Sequence, residues 1–453
     1  MRIVLDIEAD GLNPTQIWCI VTKDLDNDEV RVFTCKDMFD GFEVFIKDAT
    51  QIVAHNGIEY DIYHLNRLLN LSIPYEVVYD TLVVGRLLDS GRSDGHSLES
   101  YGKLLKHPKT EHNDWSQFTP EMLEYCKNDV ELNTKLYRYL DGIISRNRGA
   151  FRESIICEHR IQLLCLEMSR NGFHFDIHGL EELDKELAGL ISDLDEKISR
   201  SFPPKVEYVQ LKTKVKEIVT PFNPKSVRQI VDRLHGAGWK PYERTKTYIA
   251  KKRNREKISP TLERFGWKVN EANLSTLPED APEGCQYLIE HILLSARRRT
   301  LTEWRTAYDN SDRRIHGRFN PLGTVTQRCS HSAPNMGNIA TKKTIKYNSE
   351  RLRALAVDLG GRMRSFWMAP EEGWLVGCDM ESAHLRIFAH LIDDKEFTQS
   401  LINGDKKLGT DPHSVNKRRL GDLCVDRDRA KTFIFSFLNG AGAGKVAEIF
   451  GCS

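Results

Sequence analysis

The sequence predicts a chain of mixed class: an α/β domain first, an α-rich stretch in the middle and an α+β stretch last. Three observations carry this. The first 150 residues set short apolar runs, "RIVLDIEAD" and "IVAHNGIEYDIYHL", before an amphipathic stretch, "EMLEYCKNDVELNTKLYRYL", which is the strand-and-helix succession of an α/β layer. From about 151 to 310 the pattern is helical, in "SIICEHRIQLLCLEMSRNGFHFD", "LEELDKELAGLISDLDEKISRSF" and "CQYLIEHILLSARRRTLTEW". Beyond these, an apolar run reading as a strand, "WLVGCD", is followed by more helical segments.

Length agrees with several domains, since 453 residues suggest about three. Charged residues make up 29% and hydrophobic residues 40%, ordinary for a soluble globular enzyme. The 65 Lys+Arg balance the 65 Asp+Glu, so no global field argues for nucleic acid and any such argument is local. The N-terminus "MRIVLDIEADG" has no long apolar core, and no apolar run is long enough to span a bilayer, so neither a signal peptide nor membrane attachment is expected. Ten cysteines without a C-x-x-C pair read as reduced thiols of a cytoplasmic protein. Charge is uneven, however. Residues 240–257 carry eight Lys/Arg against two Glu, and residues 297–328 carry eight Arg against one Glu and two Asp.

In the first region, "RIVLDIEAD" ends in Asp6-Ile7-Glu8, and strand alternation puts both carboxylates on one side. Asp61 falls at a helix start after the second apolar run. Tyr125 and Asp129 lie at i and i+4 on the amphipathic helix, and so share a face. Four carboxylates from three separated segments, with one phenol, are what two-metal phosphodiester hydrolysis requires: hard divalent ions need oxygen ligands from several elements.

In order, D-x-E, H-N-G-x-x-x-D and Y-x-x-x-D resemble the proofreading 3′–5′ exonucleases of the DEDD type, tyrosine subclass (DEDDy). All five functional positions match. The resemblance implies a ribonuclease H-like domain over residues 1–150, with Asp6, Glu8, Asp61 and Asp129 as metal ligands and Tyr125 orienting the attacking water. His55 and Asn56 shape the site, and Asp80 is structural. The implied cofactor is Mg²⁺, with Mn²⁺ as its substitute.

The long helices of the middle region, with their basic tip, suit a clamp on duplex backbone through salt-dependent, sequence-blind phosphate contacts. An ordinary helical connector fits the periodicity equally well. Further on, "HGRFNPLGTVTQRCSHSAPNMGNI" offers Arg328, Asn335 and Asn338 for contact with primer, template or minor groove. "WLVGCD" delivers Asp379 at a strand end, where it serves as a metal ligand or a helix cap. "DPHSVNKRRL" supplies His413 on a helix, and "RDRAKTFIFSFLNGAGAGKV" puts Arg427, Lys431 and Phe435 on one helical face. Cations suit a polyphosphate and a ring suits a base. "GAGAGKV" is no phosphate-binding P-loop: its first Gly position is Asn439, Val446 replaces Ser/Thr, and it follows a helix.

The succession T-x-R…P-N-x-x-N-I, D-x-x-x-x-x-L-R, D-x-H and R-x-x-x-K-x-x-x-F resembles family A DNA polymerases, above all the replicative enzymes of short-tailed phages. The resemblance implies a thumb over 151–312, a partial palm over 313–405 and the start of the fingers over 406–453. It also implies that Asp379 and the Met380 carbonyl bind catalytic metal. His413, Arg427 and Lys431 would hold the incoming dNTP, Phe435 would stack near its base, and Arg328 would touch the primer end. DNA, as primer-template and as single-stranded 3′ end, is the implied substrate, and the location is the host cytoplasm if the chain is phage-encoded.

The family pattern is broken at several places. Gln327 stands where Gly usually precedes the primer-contacting Arg, and His384 and Asn439 replace a Glu and a Tyr that together exclude a ribose 2′-hydroxyl. The nineteen residues between Phe202 and Phe222 are too few for a thioredoxin-type clamp domain, so none is expected. No H-D-E motif, the source of the second polymerase carboxylate, occurs in the sequence. The expectation is therefore the N-terminal portion of a split or truncated polymerase with an intact exonuclease, completed by a C-terminal polypeptide carrying H-D-E. The alternative is a stand-alone exonuclease whose polymerase remnant only grips DNA.

Overall fold

The computed structural model describes residues 1–34, 41–147, 149–210, 215–340 and 349–451, and the chain divides into two compact units, Met1–Gly373 and Trp374–Ser453. The first unit begins with a five-stranded sheet of β1 (Arg2–Ala9), β2 (Ile17–Asp24), β3 (Val30–Thr34), β4 (Gln51–Ala54) and β5 (Val78–Asp80), in the order β3-β2-β1-β4-β5. β1 pairs antiparallel with β2 and parallel with β4. Around the sheet lie the short α1 (Glu43–Ile46), then α2 (Asp61–Leu68), α3 (Thr81–Leu88), α4 (Leu98–Leu104) and α5 (Pro120–Arg146).

Both faces of the sheet are covered, which is why its central strands read as near-continuous apolar runs. Alternation along β1 divides its side chains between two cores. Ile3, Leu5 and Ile7 join Ile52, Ile62 and Leu65 on the α2 side, while Val4 joins Cys126 and Val130 on the α5 side. Asp6 and Glu8 share the parity of Val4 and so face α5. The register slips by one residue between Glu8 and Ala9, ending the regular ladder where the acidic pair stands. α5 starts at a signal written in the sequence: Thr119 caps it, accepting from the Met122 N–H, and Pro120 takes the first turn. Met122, Cys126, Asp129, Val130, Asn133, Tyr137 and Leu140 then form its buried stripe at helical spacing.

After α6 (Arg152–Asn171), β6 (Phe173–Phe175) enters a small sheet of order β13-β6-β10-β9, with β9 (Tyr308–Asp309), β10 (Arg314–Ile315) and β13 (Trp367–Met368). α7 (Ile177–Ser201) and α12 (Glu283–Ala307) pack along each other. Their ion pairs, Asp184 with Arg298 and Arg305 at one end and Asp195 with His291 at the other, show that they run antiparallel. Leu180, Leu183, Leu187, Leu288, Leu294 and Trp304 fill the seam.

The connection between these helices holds β7 (Lys205–Gln210), β8 (Val215–Thr220), α8 (Val227–Gly236), α9 (Lys246–Arg253), α10 (Pro260–Phe265) and α11 (Glu271–Leu274). Among the nineteen residues singled out above, β7 and β8 pair antiparallel as exposed strands, with the Phe202–Phe222 ring contact at their base, within a longer connection. The basic stretch 240–257 contains α9, which Thr245 caps by accepting from the Tyr248 N–H. Part of the basic charge is structural: Arg298 and Arg305 bind Asp184, and Arg244 pairs with Glu263 and lies 3.3 Å from the Trp267 ring centroid. β11 (Arg318–Asn320), β12 (Ser330–Ser332) and α13 (Glu350–Ser365) complete the unit.

The second unit is a helical cluster of α14 (Ala383–Ile392), α15 (Lys395–Asn403), α16 (Pro412–Leu420), α17 (Arg427–Leu438) and α18 (Ala443–Phe450), built on Leu385, Ala389 and Phe397. One expectation fails here. "WLVGCD" forms no strand: residues 374–380 lie outside helix and strand and are exposed, with Trp374 at 90% and Val376 at 89%. A strand is stabilised by its ladder, and this apolar run has no pairing partner among the described residues.

Candidate active site

The first unit gathers all five residues of the acidic pattern around the end of β1. Asp6, Glu8 and the thiol of Cys126 place ligand atoms within 4.8 Å of one another. Asp61, the first residue of α2, is buried and accepts from the Ile7 N–H at 3.1 Å, which ties α2 to β1. Asp129 and Tyr125 come from adjacent turns of α5, and Asp129 is 4% exposed. Cys126 donates to Asp6 Oδ2 at 3.4 Å.

These carboxyls resist ionisation. Burial, then the charges of Glu8, Asp61 and Asp129, hold Asp6 well above the usual carboxylate range. Burial chiefly lifts Glu8 to about 9 and Asp61 to about 7. Asp129 is also raised by burial, although Lys109 opposes it. Lys109, from the stretch between α4 and α5, sets its Nζ 2.6 Å from Asp129 Oδ2 and 4.8 Å from the Tyr125 ring centroid. Asp129 Oδ1 is buried without a hydrogen-bond partner among the described residues. An orphaned carboxylate oxygen beside three further carboxyls, with Lys109 as the one contacting cation among the described residues, is a donor set that fits hard divalent ions.

The surroundings hold this arrangement. Asp80, fully buried, accepts from the N–H groups of Asn56, Ile58, Leu82 and Val83, so it caps α3 and fixes the H-N-G turn. Asn56 has a φ of 65°, and a Cβ at Gly57 would meet Ala54 Cβ at 2.3 Å, so the turn needs its small residue. Burial pushes His55 down to about 3, leaving a neutral ring bonded to Thr81 Oγ1 at 2.9 Å. Trp115 and His112 pack their rings around Tyr125, at 5.6 and 5.9 Å. An aromatic wall of this kind offers stacking surface to an unpaired base.

The other predicted residues lie apart. Arg328 is exposed in the β11–β12 loop, with its N–H on Thr324 Oγ1. Gln327 before it takes φ 61°, a backbone that glycine adopts most easily. Asn335 caps the following turn through Gly337 N, and Asn338 is exposed. In the second unit, His413, Arg427 and Phe435 come together: the His413 and Phe435 rings are 6.0 Å apart, and burial and then Arg427 hold His413 below its usual value. Lys431 is exposed one turn along α17 and also acts on His413. Asn439 donates its side chain to the Phe435 carbonyl and ends that helix. His384 is exposed in the first turn of α14. Asp379 and Met380 are exposed on the unpaired segment, so the structure does not present the strand-end ligand the sequence predicts.

Several site residues escaped the sequence reading. Lys109 and Cys126 belong to no spaced motif. Asp411 caps α16 and binds Arg427 at 2.7 Å; although burial opposes it, the Arg427 hydrogen bond holds this carboxyl at about 2. Its signal was present: Asp before Pro at a helix start is a cap signature.

Comparison with known proteins bears on the whole chain. A family model described as DNA polymerase family A matches residues 196–453, more than half of the chain. The DNA-directed DNA polymerase of Escherichia phage T7 is 26% identical over 560 aligned residues, covering 99% of this chain and 77% of the relative, and that of Enterobacteria phage T3 matches to the same extent. The thermostable DNA polymerase I of Thermus aquaticus is 32% identical over 140 residues, or 30% of this chain. Among solved structures, the POL domain of Pol1 from M. smegmatis, in complex with DNA primer-template and dNTP, superposes with a TM-score of 0.66 at 16% identity, covering 100% of this chain and 70% of that one.

Proposed function

The chain belongs to DNA polymerase family A, whose activity is DNA-directed DNA synthesis, and from that premise we propose that its first 150 residues are a 3′–5′ exonuclease of ribonuclease H-like, DEDDy type. The observation that supports this reading best is the convergence of Asp6 and Glu8 from β1, Asp61 from α2 and Asp129 from α5, with Asp129 Oδ1 left unbonded. These four side chains would hold two divalent ions, Mg²⁺ or in its place Mn²⁺. When bound, such a pair supplies charge stabilisation at the attacking and leaving oxygens of a phosphodiester. The chain's own groups do the rest. Tyr125 offers its hydroxyl to orient water, Trp115 and His112 receive the terminal base, and the buried wall of α5 excludes bulk solvent.

Residues 151–312 then act as the thumb, 313–405 as part of the palm and 406–453 as the start of the fingers. His413, Arg427, Lys431 and Phe435 form a face for an incoming dNTP, with Arg328, Asn335 and Asn338 toward the primer-template. Asp379 supplies one polymerase carboxylate. The second, in H-D-E, is not among the 453 residues, so templated synthesis requires that motif from further polypeptide, continuous or separate. The segment around Asp379, exposed and without a strand partner among the described residues, favours the stand-alone exonuclease as second reading.

The experiment is digestion of a 5′-labelled single-stranded oligonucleotide by the chain in Mg²⁺. Shortening from the 3′ end is expected, and its loss in Asp6→Ala/Glu8→Ala. Undiminished digestion by the double variant overturns the site assignment. Adding a polypeptide that carries H-D-E to the double variant separates the two readings: incorporation on a primed template supports the polymerase, and none supports the second reading.

A further inference from the structure

We propose that Lys109 is a positioning residue for this site, one that holds the Asp129 carboxylate beside the Tyr125 ring and leaves Asp129 Oδ1 for a divalent ion. The proposal rests on the exonuclease reading above and adds a residue outside its four-carboxylate pattern. The geometry gives the Asp129 oxygens different tasks. Oδ2 is 2.6 Å from Lys109 Nζ, whereas Oδ1 is buried and unbonded. A carboxylate anchored by one oxygen cannot rotate freely, so the other keeps its direction. The same ammonium lies over the Tyr125 ring, 4.8 Å from its centroid. One side chain therefore spans both functional residues of α5.

Lys109 is itself held. Its segment has no regular structure, yet it is fastened to α4 and α5 on either side. The His107 N–H donates to the Gly102 carbonyl at 2.9 Å, and a Cβ at Gly102 would lie 2.6 Å from the His107 carbonyl oxygen. The His107 ring bonds Asn128 Oδ1 and Lys135 Nζ, each at 2.9 Å, and Asn128 Nδ2 donates to the Pro108 carbonyl. Asn128 is the neighbour of Asp129, so the loop and the ligand are fixed to the same helical turn. A surface lysine pairing by chance has no such mooring, and this side chain is 24% exposed.

Charge gives the same answer. Four carboxylates and two divalent ions cancel, and the Lys109 charge then remains to balance the phosphodiester that enters. Lysine at this place would thus assist both the ion and the anionic strand.

The test uses the full chain and reads Mn²⁺ binding directly, from the electron paramagnetic signal of free Mn²⁺, beside 3′-end digestion across a Mg²⁺ series. Lys109→Met is expected to weaken Mn²⁺ binding on the order of 10- to 100-fold, as loss of a ligand-orienting partner does. It should raise the Mg²⁺ needed for half-maximal digestion in parallel. Lys109→Arg, which keeps charge and reach, should recover most of the loss. Circular dichroism of each variant shows that it is folded. Unchanged or tighter Mn²⁺ binding by folded Lys109→Met overturns the proposal and leaves the exonuclease reading standing. Absence of Mn²⁺ binding and digestion in the unaltered chain overturns both.

Discussion

Replacing Glu8 with Gln should make the ion-free protein more stable at alkaline pH while abolishing exonuclease activity. The carboxyl of Glu8 is raised from 4.5 to about 9, chiefly by burial and then by Cys19 and Asp129. Between those values the folded chain holds a proton that the unfolded chain releases. Stability from this group is thus complete below about pH 4.5 and lost as pH rises toward 9. At about 1.36 kcal/mol per unit, the ceiling is ~6 kcal/mol, a large share of the ~5–15 kcal/mol that stabilises a typical domain. Asp61, raised from 3.8 to about 7, slopes the same way over its own window. Urea denaturation in EDTA at a series of pH values measures this, with protection of the β1 and α5 amides as the local readout. The unaltered chain should lose about 3 kcal/mol or more between pH ~5 and ~9. Glu8→Gln should show a shallower slope and be the more stable at the alkaline end. Saturating Mg²⁺ should flatten the unaltered chain's slope by binding the ionised form. A flat or rising profile in EDTA would refute the reasoning, because the carboxyls would then not be held neutral by their surroundings.

Three further outcomes are expected. Asp80→Ala removes a cap and orphans buried N–H groups of the H-N-G turn, so it should destabilise the first unit by about 3 kcal/mol or more and depress digestion. A shift in the urea midpoint equivalent to less than about 1 kcal/mol would count against the cap. Arg244→Lys keeps the charge but loses the planar stack on Trp267, so it should cost about 1–2 kcal/mol, read as faster amide exchange in α10 and around Trp267; unchanged exchange would show the stack to be incidental. Neutralising Lys252, Arg253 and Arg255 of α9 and the turn after it should weaken binding to unrelated DNA duplexes alike, lowering the slope of log K against log salt by up to about 0.9 for each phosphate no longer neutralised. An unaltered slope would make this tip a merely solvated surface.

The parts of the fold written locally were legible in advance. Asp6 and Glu8 reach one side of β1 by strand parity, and Tyr125 and Asp129 share a face of α5 by helical spacing. Thr119 and Pro120 also mark the α5 start, a local signal that the expectations drawn from the sequence did not use. What escaped depends on partners remote in sequence. Lys109 carries no periodic signal, and its role arises only when the loop before α5 folds back on Asn128. The arginines of 297–328 look alike in the sequence, yet Asp184 of α7 selects two of them as structural. "WLVGCD" has the composition of a strand, but strand formation is a property of a pair, and this run has no partner among the described residues.

Arg427 gives two nitrogens to Asp411, and Asp411 caps the helix that bears His413. The carboxylate is therefore shared between two helices: tilting α17 away from the first turn of α16 would have to break its bonds to Arg427 or its cap. Under the proposed reading, an incoming anion would meet His413 and Arg427 as a preset pair, and would find the guanidinium's Nε and Nη2 already held by Asp411 and its Nη1 3.8 Å from Asp428 Oδ1.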